Sequence, residues 1–423
     1  MNSSNPTPLT EWASSLSFSP EEVRFLIEHG DKIAAAAEEV ELTKKSAIAD
    51  HKKLHGQFGD HTRAVMELIQ ARRTIAPKIG EEASTQWLAD NDSAQQATPH
   101  AVAQVRAERI ARAGASLVHD VTCSIGTEAP AMTAAGMEYL GTDLDYTRLL
   151  MARHNLQLPV PQSFRVSGTA WVAQADALAP VTTPASSSGP RIRACSGSGP
   201  GRVIVADPAR RADGRRITDP AKLIPALPDL IEAYPGAALA IKCAPGIDYS
   251  DWHGLVSVVS VDGGVKEACL YTPDLAEHRR EAVVIRDGFT ETVTDDGGAV
   301  DVDKPRSFIV DPDGAIVRAG LVQQWGARHG LTMLDPHIAY LSGDVLPDGY
   351  SGFPFIEQVP LKKLRPALQA HGAGALEILV RGVDVNPDQL RTKLKLKGSR
   401  PMAVVIARVG DGATAFICGA RVR

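Results

Sequence analysis

Cysteine is scarce in this chain. The five cysteines among 423 residues, Cys123, Cys195, Cys243, Cys269 and Cys418, stand far apart and form no C-x-x-C pair. That spacing speaks against a disulfide framework or a zinc site, and no metal is expected. Long apolar runs are missing too: no stretch of about 18 apolar residues occurs, so no membrane-spanning helix is expected. The opening MNSSNPTPLTEWASS lacks the basic and apolar regions of a secretory signal. The expectation is a cytoplasmic protein with no membrane partner. A strong excess of one charge is also absent. The formal net charge of −5 excludes a wholly basic nucleic-acid coat but permits one local basic face. What is present is an apolar content of 44%, enough to build the cores of two or three domains.

Three parts are expected. Residues 1–95 read as helical: Ser19 stands as a cap before SPEEVRFLIEHGDKIAAAAEEVE, with Pro20 at the first helical position. No chemistry is legible there, and a packing role is the expectation. Residues 96–298 alternate strands and helices, from SLVHDVT through MEYLGTDLD, GTAWVAQAD and RVIVADP to AALAIKCAP, which predicts a mainly parallel sheet with helices on both faces. PAKLIPALPDLIEAY reads as one of the helices. The Ser/Gly/Pro-rich stretch 180–201 reads as a mobile loop. Residues 299–423 begin with SFIVDPDGAIVRAG, read as a hairpin, and continue as a β-α-β-α-β-β pattern of ferredoxin-like α/β type.

In a parallel sheet of this kind, ligands gather at the carboxyl ends of strands. Four acids fall there in sequence order. Asp120 closes the first strand and leads into VTCSIGTEA, where Gly126 opens a helix and lets the backbone approach a ligand. Asp143 closes the second strand, a place suited to ribose hydroxyls. Asp176 closes the third and could accept from an adenine amino group; Asp207 closes the fourth. A nicotinamide dehydrogenase would need GxGxxG after the first strand, but this turn carries Ser124 and has no pyrophosphate cradle.

The series HDVTCSIGTEA, GTDLDYTRLLMARHNL, QADA, VADPARR and AIKCAPGID resembles class I S-adenosylmethionine-dependent methyltransferases. With WGARHGLTMLDPHIAYLSGD and LEILVRGVDVNPDQLRTKLKLKGSR it resembles, more narrowly, the bacterial group that carries a THUMP-like C-terminal domain. The resemblance implies a Rossmann-like class I methyltransferase sheet with a helical N-terminal region and a ferredoxin-like/THUMP-like α+β domain. It implies S-adenosyl-L-methionine as cofactor, held by Asp120, Ser124, Gly126, Asp143 and Asp176. Methyltransferases that act on planar amines end the fourth strand in (D/N)-P-P-(Y/F/W). Here Asp207-Pro208-Ala209-Arg210 keeps the carboxylate and the proline, and Arg210 stands where the aromatic would stack on a base. DPAR also resembles the D-P-P-R of RNA uridine C5-methyltransferases, and KCAP then places Cys243 where their nucleophile stands. Lys242, its neighbour on the strand, should point to the opposite face and so gives Cys243 no evident activator.

Near the end, Arg391, Lys393, Lys395, Lys397 and Arg400 fall within ten residues, with Lys362, Lys363, Arg365 and Arg381 nearby. Leu390, Leu394 and Leu396 can face the core behind them. Such a run suits RNA phosphates, and THUMP-type domains bind RNA. The expected activity is methylation of a base in tRNA or rRNA. C5-methylation through Cys243, a small-molecule methyltransferase and an inactive RNA-binding protein remain as alternatives. The oligomeric state stays open.

Overall fold

The computed structural model describes residues 18–158, 168–182, 200–209, 211–212, 215–217 and 219–423. Arg210, Cys195 and most of the 180–201 stretch lie outside them. The chain divides into two compact units, residues 1–252 with 269–276, and residues 253–268 with 277–423.

The first unit begins with helices. Pro20–Glu28 starts as expected, with Ser19 and Glu22 forming a reciprocal capping box. The single helix expected here breaks at His29, and a second helix runs Gly30–Ala37. Ala47–Phe58, Thr62–Ile79, Asn91–Gln96 and His100–Arg112 follow. Their buried Leu54, Leu68 and Ile75 share one core with Ile125 and Met151. The helical region therefore packs on the turn after the first strand and on the second α/β crossover.

Five parallel strands follow: Leu117–Asp120, Glu138–Asp143, Ala170–Gln174, Arg202–Ala206 and Ala238–Cys243. The first lies at the centre, with the second and third to one side and the fourth and fifth to the other. Strand order thus reverses beside the first strand, and a crevice opens past the carboxyl ends there. Asp120 is in register with Gly141 on one side and Val205 on the other. The helix expected over PAKLIPALPDLIEAY is instead a 3₁₀ turn, Pro220–Lys222, and a short helix, Leu227–Ala233. Pro225 and Pro228 carry no N–H to bond the preceding turn and disfavour helical backbone just before them.

The second unit holds Leu255–Val261 parallel to Arg280–Arg286, which pairs antiparallel with Phe289–Thr294. The hairpin expected in SFIVDPDGAIVRAG is a strand, Phe308–Val310, followed by a helix, Gly314–Ala319. Asp313 accepts the Ala315 N–H at 2.9 Å, so a residue read as part of a turn is a helix cap. A seven-stranded sheet ends in the expected β-α-β-α-β-β run: Gly352–Pro360, Leu364–Ala370, Ala373–Arg381, Pro387–Leu394, Arg400–Val409 and Gly412–Gly419. Leu364, Leu368 and Leu394 from both helices pack on Met402, Val404 and Ile406. Among the described residues no helix is long and apolar enough to cross a membrane.

Candidate active site

At the crevice of the first unit lies a cleft of about 190 Å³. Asp120, Ser124, Asp143 and Asp207 line it together. The sheet brings them there because each stands at or just past a strand end.

Asp120 is buried. Its carboxylate accepts the Tyr139 hydroxyl at 2.9 Å and the Thr122 N–H at 3.2 Å. Burial, with the nearby Glu128 charge adding to it, pushes this carboxyl up to about 7. The turn that follows is tight. Ser124 adopts a left-handed backbone, φ +49°, and donates its N–H to Asp143 at 2.9 Å. Gly126 has φ +84°, a conformation that a side chain would strain. Asp143 accepts the Asp145 N–H with its other oxygen, also at 2.9 Å, and burial raises its carboxyl. Each oxygen keeps a second lone pair for a ligand.

Asp207 donates its own N–H to Thr122 Oγ1 at 2.6 Å, and its side chain is 24% exposed. Its Oδ2 lies 2.8 Å from Lys242 Nζ. Lys242 is buried, 3.1 Å from Glu128 Oε1, and also donates to Thr98 Oγ1. Glu128 in turn takes a two-pronged contact from Arg106, 3.1 Å from Nε and 3.1 Å from the guanidinium end. Although burial opposes ionisation, these two cations hold the Glu128 carboxyl down to about 2. Charges of alternating sign therefore run from the His100–Arg112 helix to the cleft.

Some expected residues stand elsewhere. Asp176 does not line the cleft; it is exposed and caps its own turn through the Leu178 N–H at 2.9 Å. Gly126 and Pro208 are buried beside the cleft without lining it. Cys243 is fully buried and away from the cleft, with its thiol 3.7 Å from Ile241 O. Lys242, expected to matter little, is the member of the pair that faces the site. Glu128, Thr98 and Arg148 also line it, as do Ser93 and Gln96 from the helical region. Arg148 Nε lies 3.6 Å from Asp145 Oδ2 and makes no closer hydrogen bond among the described residues.

The chain is 43% identical to an uncharacterised S-adenosylmethionine-dependent methyltransferase of Mycobacterium tuberculosis H37Rv over 384 residues, 86% of this chain and 99% of the relative. This chain belongs to the S-adenosylmethionine-dependent methyltransferases. The cofactor of this methyltransferase is S-adenosyl-L-methionine. Its fold is similar to the crystal structure of a protein from Porphyromonas gingivalis W83 assigned as a methyltransferase, with TM-score 0.68, 16% identity, and 95% of this chain and 99% of that one covered. Residues 351–420 match the family described as THUMP domain-like.

That part of the methyltransferase carries the basic run. Arg391, Lys393, Lys395, Lys397 and Arg400 are all exposed, with Leu394 buried and Leu390 and Leu396 partly buried behind them. Arg391 pairs with Asp388 at 2.6 Å. Lys395 ends its helix in a left-handed conformation, φ +46°. The loop then lies hard against the neighbouring strand: a Cβ on Gly398 would sit 1.9 Å from Gly372 O. Elsewhere in the second unit, His278, Asp295 and Asp296 bring donor atoms within 4.8 Å of one another. Among them, His278 Nδ1 and Asp296 Oδ2 lie 2.6 Å apart.

Proposed function

We propose that this methyltransferase modifies a base in RNA, tRNA or rRNA, with Asp207 and Pro208 orienting an acceptor amine. The observation that carries this is the Asp207 carboxylate. It ends the fourth strand, is partly exposed in the cleft, and has its main chain and Oδ2 already fixed. The carboxylate can then accept a hydrogen bond from an amine and turn the nitrogen lone pair toward the methyl donor. The proline carbonyl adds a second acceptor on rigid backbone. Once the nitrogen has taken a methyl group, the same carboxylate is placed to receive its proton. Arg210, the candidate for stacking on the base, lies outside the described residues.

The cleft suits S-adenosylmethionine. The cofactor supplies a methyl group made electrophilic by its sulfonium. Asp143 would take the ribose hydroxyls, with Ser124 and Gly126 shaping the turn. Asp120, Asp143 and Asp207 give the cleft carboxylates that favour a cation. Arg148, whose Nε lies 3.6 Å from Asp145 Oδ2, could turn its guanidinium toward the cofactor's carboxylate. Asp176, though exposed, remains within the assignment as the acceptor for the adenine amino group at the third strand's end.

RNA is favoured over a small acceptor by the exposed basic run in the THUMP domain-like region, where each phosphate contact would release counterions. C5-methylation through Cys243 is disfavoured, because a thiol sealed in the sheet cannot reach a pyrimidine.

The test joins nucleoside mass spectrometry with one substitution. Total RNA from a strain lacking this enzyme should miss one methylated nucleoside. Asp207→Ala should bind cofactor normally and transfer methyl to that RNA at least a hundredfold more slowly. Near-normal transfer would make DPAR a structural feature. Cofactor binding with no RNA affinity would select the small-molecule enzyme, and RNA affinity with no cofactor binding the inactive binder.

A further inference from the structure

Lys242 is the least expected component of the cleft. An ammonium has three donors, and here they meet Asp207, Glu128 and Thr98. The group is buried and lies between two carboxylates, so it stays a cation and is not a proton acceptor. Glu128 cannot drift away from it, because Arg106 grips both Glu128 oxygens. The network has one partly exposed end, the Asp207 side chain. A buried ion network adds little stability over apolar residues of the same volume. Its direction, ending on one carboxylate in the cleft, is what needs explaining.

We propose that Lys242 is a positioning residue for methyl transfer, fixing the Asp207 carboxylate through Oδ2 and so setting its orientation toward the acceptor. This rests on the role given above to Asp207. Held by both its backbone N–H and its Oδ2, Asp207 has little rotational freedom left, and the acceptor need not spend binding energy on ordering it. The ammonium also favours the ionised carboxylate, the only form that accepts the amine hydrogen bond with either oxygen. Among the described residues, the other charged groups that line the cleft or lead to it are Asp120, Asp143, Arg148, Glu128 and, behind Glu128, Arg106. Thr98 ties the arrangement to the helical region, so residues just past the Asn91–Gln96 helix share in setting the acceptor geometry.

The experiment compares full-length Lys242→Met and Lys242→Arg with wild type. Cofactor affinity by calorimetry should stay within about threefold. Single-turnover transfer of labelled methyl to RNA from a strain lacking the enzyme should fall at least thirtyfold in Lys242→Met. The acidic limb of its pH profile should move to higher pH, because Asp207 loses its cation. Lys242→Arg should restore part of the rate. A crystal structure of Lys242→Met supplies a readout that needs no acceptor: the Asp207 carboxylate should leave its wild-type orientation. An unchanged rate and pH profile, or an unchanged Asp207 orientation, overturns the proposal. If Asp207→Ala transfers normally, the assignment of Asp207 fails first. If Asp207→Ala is inactive and Lys242→Met is not, only the role of Lys242 fails.

Discussion

Asp120→Asn should stabilise this methyltransferase at pH 8 and cost it up to about 1 kcal/mol at pH 4. Asp120 is fully buried, and its carboxyl is displaced from the ordinary 3.8 to about 7, first by burial and then by Glu128. A carboxyl whose folded value is raised favours its neutral form in the fold. The sign therefore runs against the usual acid. The folded state carries no penalty near pH 4, loses stability as pH rises toward 7, and carries the whole penalty above it. At about 1.36 kcal/mol per pH unit, the displacement sets an upper figure of about 4 kcal/mol. Asparagine has the shape of the neutral acid. Its oxygen can take the Thr122 N–H and its amide can donate to the Tyr139 hydroxyl, which must turn round. An imperfect fit there costs about 1 kcal/mol. The net gain at pH 8 is about 3 kcal/mol, which corresponds to a rise of roughly 6–12 °C in melting temperature for a unit of this size. Thermal denaturation without cofactor, followed by circular dichroism from pH 4 to 8, checks this. Equal melting shifts at pH 4 and pH 8, or a loss of stability at pH 8, would refute the reasoning. Cofactor binding should weaken in the same variant, since the cleft loses a negative charge facing a cation.

The other outcomes can be stated briefly. Asp143→Ala should lose about 1–3 kcal/mol of cofactor binding, roughly 5- to 150-fold, by calorimetry; unchanged binding by a folded variant removes Asp143 from the cofactor site. Cys243→Ala should keep activity within a few-fold, and a covalent adduct with 5-fluoropyrimidine RNA that disappears in this variant would reinstate C5-methylation. Replacing Lys395, Lys397 and Arg400 together by Ala should flatten the salt dependence of RNA affinity by about two log units per log unit of salt, at about 0.7 per phosphate contact. An identical slope would make the run a solvated face.

The strand ends were legible because two rules act locally. Alternating β and α segments predict a parallel sheet, and an acid at the close of a strand reaches the crevice. Asp120, Asp143 and Asp207 follow from those alone. Lys242 was within reach of the same logic. Alternation puts neighbours on opposite faces, so the face that seals Cys243 in the sheet turns Lys242 toward the cleft. Asp176, two residues past Gln174, also caps its own turn through the Leu178 N–H, a local role that the strand-end rule does not signal. Thr98 and Arg106 left no local signal, because their partners Lys242 and Glu128 are 144 and 22 residues away.

The helical region is therefore better understood as part of the site than as packing around it. Asn155 makes this concrete. Its side-chain oxygen accepts the Leu88 N–H at 2.8 Å, and its amide donates to Leu88 O at 3.0 Å and to Ile125 O at 3.1 Å. One buried amide thus satisfies backbone groups from the helical region and from the turn between Ser124 and Gly126. Thr98 reaches the acceptor side through Lys242 in the same way. Both ends of the cleft, the turn beside Asp143 and the carboxylate of Asp207, are tied through Asn155 and Lys242 to Leu88 and Thr98, which precede the α/β alternation. Cutting such a polar contact leaves buried groups unpaired at about 1–3 kcal/mol each, so a change near Leu88 or Thr98 should be felt in the geometry of the cleft before it is felt in the fold of the sheet.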